Sequence, residues 1–159
     1  MPRSSASQMD DNIDPVRAYG MIGLSKEYLA AARVVRDSRK GISRVSYYLY
    51  GHSLELSLKA VLVAAKTSER TLRGIGHNLY DAVSAAENSS EAMRARITGT
   101  HRAALDLFAP YYDSKVDGYH APGQASWPMM ADLDDFCDAV FREATSEVQR
   151  MVSLAPATT

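Results

Sequence analysis

Apolar residues recur at three- and four-residue steps along most of the chain, the spacing that gathers them on one side of an α-helix. Ala18, Met21, Ile22, Tyr28, Leu29, Ala32 and Val35 make the first such run. Asp14 supplies a capping side chain ahead of it, and Pro15 suits a first turn whose N–H groups need no helical partner. A helix is therefore expected from there to about Arg36. Gly20 and Gly23 each weaken it by roughly 1 kcal/mol relative to alanine, a cost that close packing of another helix would explain.

The second run, residues 41–66, organises the rest. Wound at about 100° per residue, it sets Tyr47, Tyr50, Leu54, Leu58, Val61 and Ala65 on one arc and Val45, Leu49, Leu56, Ala60 and Val63 nearly opposite. A helix apolar on two sides is a central helix. Between the arcs lie a small stripe, Ser46, Ser53, Ser57 and Ala64, that lets a neighbour approach closely, and a polar stripe, Tyr48, His52, Glu55 and Lys59. Buried ionisable groups cost several kcal/mol unless paired, and Glu55 and Lys59 stand four apart in the favourable order. The stripe reads either as an ion pair that answers itself or as a partly buried polar site lined by His52, Glu55 and Lys59.

Residues 67–76, with Gly74 and Gly76, should connect with about one helical turn. His77-Asn78-Leu79 opens a short third helix carrying Leu79, Ala82, Val83 and Ala86, and His77 either braces it or joins the polar site. Ser90 with Met93, Ile97, Ala104, Phe108 and Tyr111 gives a fourth, with Gly99-Thr100 as its weak point. Residues 111–128 have no period, and Tyr111, Tyr112, Tyr119 and Trp127 suggest an ordered, functional loop. From Pro128, Met130, Leu133, Cys137, Val140, Phe141, Ala144, Val148, Met151 and Val152 trace a fifth helix, with Asp132, Asp134 and Asp135 at its positive end. No segment alternates as a strand does. The expected fold is all-α, an up-and-down bundle of four to five helices. It forms one domain over residues 13–153, between polar tails at 1–12 and 154–159, since 159 residues suffice for one core.

Composition narrows the class. With 46% hydrophobic and 23% charged residues, the chain resembles folded domains in water. The net charge of −1 argues against indiscriminate nucleic-acid binding. Its distribution matters more: residues 1–73 hold twelve Lys/Arg against seven Asp/Glu, and residues 74–159 six against twelve. Arg33, Arg36, Arg39, Lys40 and Arg44 crowd one turn with only Asp37 nearby, either a solvated turn or a contact for an RNA backbone. The single Cys137 excludes an internal disulfide and a Cys-based zinc site. His52, Glu55 and His77 lack the His-Glu-x-x-His zinc pattern, so no metal or cofactor is expected. Glu55 and Lys59 interrupt the most apolar run, so no membrane association is expected. The N-terminus shows no apolar leader, and a cytoplasmic location follows as the expectation.

Leu49-Tyr50-Gly51-His52-Ser53-Leu54-Glu55-Leu56-Ser57-Leu58-Lys59-Ala60, followed by Gly76-His77-Asn78-Leu79, resembles the HEPN superfamily over roughly residues 18–152. Bundles of that superfamily often carry a Glu-x-x-x-Lys helix and then a Gly-His-Asp-Leu turn. The resemblance implies a HEPN-like bundle that forms a homodimer. In many members it implies a metal-independent endoribonuclease of toxin–antitoxin or defence systems, and in others a non-catalytic nucleotide- or RNA-binding partner. Catalytic members share an arginine, four to six residues, then a histidine, usually with a polar residue after the arginine. Arg96-Ile97-Thr98-Gly99-Thr100-His101 has that spacing with isoleucine at the polar position. Positions five apart on a regular helix diverge by about 140°, so this pair shares a site only where the backbone distorts near Gly99. Lys115-Val116-Asp117-Gly118-Tyr119-His120 has lysine for arginine, a point charge without the bidentate fork. In either pair the histidine would take the ribose 2′-hydroxyl proton and the cation would hold the phosphate, with Tyr119 and the other loop aromatics stacking bases.

Two function classes stand open. One is an RNA- or nucleotide-associated protein, a ribonuclease or a degenerate relative of one. The other is a non-catalytic dimeric module that regulates a partner protein encoded beside it. A small-molecule enzyme using Glu55 and His52 has no motif behind it.

Overall fold

Five side-chain caps set the helix starts in the computed structural model, which describes residues 13–38, 40, 43–113 and 128–155. Asp14 accepts the Arg17 N–H ahead of α1 (Pro15–Asp37), and Ser43 accepts the Ser46 N–H ahead of α2 (Arg44–Ala64). Ser68 and Asn78 cap α3 (Glu69–Ile75) and α4 (Leu79–Ser89) in the same way, and Ser90 caps α5 (Glu91–Arg96). Each cap satisfies an N–H that has no helical partner. Then come α6 (Gly99–Asp113) and α7 (Met130–Leu154). Among the described residues there are seven helices and no strand, so the fold is an all-α bundle.

The helix count exceeds the expected four to five for two local reasons. The connection after α2 condenses into α3, and the predicted fourth helix divides into α5 and α6. Ile97 takes an extended conformation, and the Thr98 N–H turns to the side chain of His101 at 3.2 Å. The break thus falls just before Gly99, made by a side-chain cap. Residues 114–127, where most of the aromatic loop was expected, lie outside the described residues, but Tyr111 and Tyr112 belong to α6.

α2 runs through the middle, against α1, α4 and α7; α5 packs on α4 and α7, and α6 packs on α4 and α7 while its last turns reach α2. Tyr50, Leu54, Leu58, Val61 and Leu62 are wholly buried among Leu29 and Ala32 of α1 and Leu133, Phe136, Val140 and Val148 of α7. Its second apolar arc is covered only toward its C-terminal end: Ala60 and Val63 are buried, Leu49 and Leu56 half-buried and Val45 exposed. The small stripe faces α1. There Ser25 Oγ lies 2.8 Å from the Ser53 carbonyl and 3.0 and 2.6 Å from the Ser53 and Ser57 hydroxyls, while Ser46 donates to the Ala32 carbonyl at 2.8 Å. Gly20 and Gly23 do not make the close contact expected of them: a Cβ on either would meet nothing within 4 Å. Ser25 and Ala32 bring α1 close instead.

α7 also answers the basic turn. Arg33 donates to Asp134 at 2.7 and 3.2 Å and to Asp138 at 2.8 Å. The Tyr50 hydroxyl donates to Asp134 at 2.8 Å and accepts from Arg36 at 3.1 Å. Burial pushes the Asp134 carboxyl up, but the hydrogen bonds from Arg33 and Tyr50 outweigh it and hold it below its ordinary value. Arg33 and Arg36 are thus spoken for. Lys40 and Arg44 are exposed, with no carboxylate on them among the described residues; Arg39 lies outside those residues. No helix among them is long and apolar enough to cross a membrane.

Candidate functional site

The polar stripe of α2 meets the last turn of α6 and the turn between α3 and α4. Glu55 is buried and gathers three donors from those elements. Lys59 Nζ reaches one carboxylate oxygen at 2.5 Å, the Tyr112 hydroxyl donates to the other at 2.6 Å, and His77 Nδ1 lies 3.0 and 3.1 Å from the two. Burial pushes the Glu55 carboxyl up, yet the hydrogen bonds from Lys59, Tyr112 and His77 prevail and hold it below its ordinary value. A buried charge persists only when paired and hydrogen-bonded in this way.

Two glycines position these donors. Gly76 adopts φ +55°, a conformation that side chains rarely take, and closes α3 so that His77 turns back toward α2. Gly51 leaves α2 bare where the Tyr112 ring lies: a Cβ there would overlap that ring and come within 3.0 Å of Phe108. Asp113, next to Tyr112, accepts the Leu79 N–H at 2.9 Å and so fixes the end of α6 to the start of α4. Burial raises the Asp113 carboxyl above its ordinary value.

His52 lies beside this cluster in an aromatic enclosure. Its ring stacks on Tyr28 with centroids 5.1 Å apart and meets Tyr48 and Tyr112 edge-on at 4.4 and 5.8 Å. Its Nδ1 is 3.2 Å from the Tyr112 oxygen. Burial lowers the His52 imidazole below its ordinary value, outweighing the opposite pull of Glu55. Tyr48 is 58% exposed, so its outer face is open to solvent. One turn earlier on the same face stands Arg44, with Lys40 just before the helix.

The structure therefore brings His52, Glu55, Lys59 and His77 into one cluster. It holds Arg96 and His101 apart. Arg96 pairs with Glu143 at 2.9 Å, whereas buried His101 faces Asp135 at 3.0 Å and stacks on Phe136. Those two carboxylates sit about two turns apart on α7, roughly 12 Å. Lys115, Tyr119 and His120 lie outside the described residues. Sequence reasoning did not place Tyr28 at the site, and it put Tyr112 in a base-stacking loop rather than on α6 against Glu55. The four-residue step from Phe108 to Tyr112 was the available signal, since the expected fourth helix already reached Tyr111 and α6 runs through Pro110 to Asp113. Among the described residues no three His, Cys, Asp or Glu side chains are grouped to hold a metal ion.

No protein-family model, curated protein or solved structure matches this chain.

Proposed function

We propose that the chain is a HEPN-like, RNA- or nucleotide-associated protein that binds single-stranded RNA along the α2 face, from Lys40 and Arg44 through Tyr48 and His52. The observation that carries this reading is the exposed Tyr48 ring beside His52, with Arg44 one turn earlier and Lys40 ahead of the helix, both exposed and without a carboxylate on them among the described residues. Aromatic faces flanked by cations are what single-stranded RNA uses: bases stack on the rings, and phosphates meet the charges. The HEPN resemblance favours the same ligand class and a toxin–antitoxin or defence setting. Arg96 and His101 are each engaged by a separate carboxylate, so the reading is of a binding protein with a degenerate nuclease motif. A second reading, a module that docks on a second copy or a partner protein, is favoured by the outer face of α1, where Val16, Leu24 and Val34 are exposed beside Gly20 and Gly23.

Titration of a labelled single-stranded RNA at low salt tests the first reading. The parent should bind saturably, and Tyr48→Ala, an exposed change, should weaken binding at least fivefold, the low end of a lost stacking contact. Absence of binding at micromolar protein would discard the reading. In metal-free buffer neither the parent nor His101→Ala should cleave a mixed RNA pool.

A further inference from the structure

We propose that His52 is locked as its Nδ1–H tautomer, and that Nε2 serves the α2 face as a fixed hydrogen-bond acceptor reading an N–H donor on the edge of a stacked base. The lock is a matter of counting hydrogens. A phenol carries one, and the Tyr112 hydroxyl gives it to the Glu55 carboxylate at 2.6 Å. Ionised Glu55 has none to return, being already the acceptor of Lys59 and His77. The Tyr112 oxygen can then only accept from His52 Nδ1, 3.2 Å away, so Nδ1 must carry the proton. In the neutral ring Nε2 is left with a lone pair, and no group among the described residues hydrogen-bonds to it. Gly51 makes the arrangement possible by admitting the Tyr112 ring against α2.

The chemistry of the ligand follows, on the reading that this face binds RNA. A ring stacked at Tyr48 beside a half-buried acceptor gains by presenting a donor, and loses by presenting a methyl group or a lone pair in its place. The groups facing His52 are Glu55 and Lys59 of α2, His77 of the α3–α4 turn, Tyr112 of α6, Tyr28 of α1 and Tyr48. Of these, Glu55 favours a charged His52, and Lys59 and His77 oppose it. Burial, the largest influence, keeps the ring neutral down to a pH below 6.5, and the acceptor is lost as pH falls through that lowered value.

Uracil has a single base donor, N3–H. The test therefore compares a short oligouridine with the same oligomer methylated at every N3, probes equal in phosphate charge. Charge changes that only alter phosphate attraction then act on both alike, and the ratio of their affinities reports the acceptor together with the Tyr112–Glu55 contact that fixes it. The parent protein should bind oligouridine three- to tenfold more tightly, the span of a neutral hydrogen bond. The ratio should collapse toward one in Tyr112→Phe and on acidification through the lowered His52 value. Nitrogen-15 spectra of the free parent, with His52→Gln for assignment, should show a protonated Nδ1 and an unprotonated Nε2 at pH 7. Equal binding of both probes would leave the RNA reading standing and overturn the inference. If neither probe binds, the RNA reading fails, and the base-reading role of His52 fails with it. A spectrum with the proton on Nε2 overturns the tautomer lock whatever binds.

Discussion

A methyl group on Gly51 would occupy the space of the Tyr112 ring. Two effects of Gly51→Ala compete. Alanine gains about 1 kcal/mol of helix propensity, and overpacking costs about 1–3 kcal/mol. The cost should win, because the ring cannot easily tilt away: its hydroxyl is held by Glu55 at 2.6 Å and its face lies against Phe108, with centroids 5.7 Å apart. Urea unfolding of Gly51→Ala should show a net loss of up to about 2 kcal/mol. Gly74→Ala, where an added Cβ meets nothing within 4 Å, should be neutral or slightly stabilising. If both variants gain stability, Tyr112 is not seated against the helix as described.

Glu55 joins three elements through one carboxylate, and acid should show what that junction contributes. Its folded pKa lies below the ordinary 4.5, so its contribution is present above that value and lost as pH falls through the lower folded one. Asp134, Asp138 and Glu147 are depressed too, so the useful readout is a difference between proteins. Glu55→Gln leaves Lys59 without its charge partner and should cost about 3 kcal/mol near neutral pH. Its melting temperature should fall less steeply than the parent's between pH 5 and pH 3. Parallel curves would mean that Glu55 is not held ionised by its three donors.

Local chemistry made much of this arrangement legible in the sequence. Asp14, Asn78 and Ser90 announced helix starts because a cap is a contact within one turn. The serine stripe and the polar stripe of α2 followed from a single period. What stayed hidden depends on distant residues. The break at Ile97 is made by a histidine cap that no period reveals. The partners of Arg33 lie 101 and 105 residues away, so the basic turn looked free. Gly20 and Gly23 carried a signal for close packing that Ser25 and Ala32 answer instead.

Over the whole molecule, the uneven charge of the chain folds back upon itself. The acidic turn of α7 lies on Arg33 and Arg36, leaving Lys40 and Arg44 as exposed cations of that region without carboxylates on them among the described residues. The salt dependence of RNA binding should be correspondingly shallow. Each phosphate contact to a single strand adds about 0.7 to the slope of log affinity against log salt, so two cations give about 1.4. Binding measured from 50 to 200 mM salt should show that slope in the parent and almost none in Lys40→Ala/Arg44→Ala. A slope near 3 would mean that further cations, among them Arg33 and Arg36 released from Asp134, reach the RNA.

The place of α7 in the order of synthesis has a consequence of its own. α2 is finished at Ala64, but the helix that packs against it around Tyr50 starts only at Met130. At about 5–20 residues per second, a nascent chain leaves that flank of α2 bare for several seconds. During that interval the molecule is a sticky half-bundle on the ribosome, and chaperone capture or premature pairing with a neighbouring nascent chain competes with its own last helix.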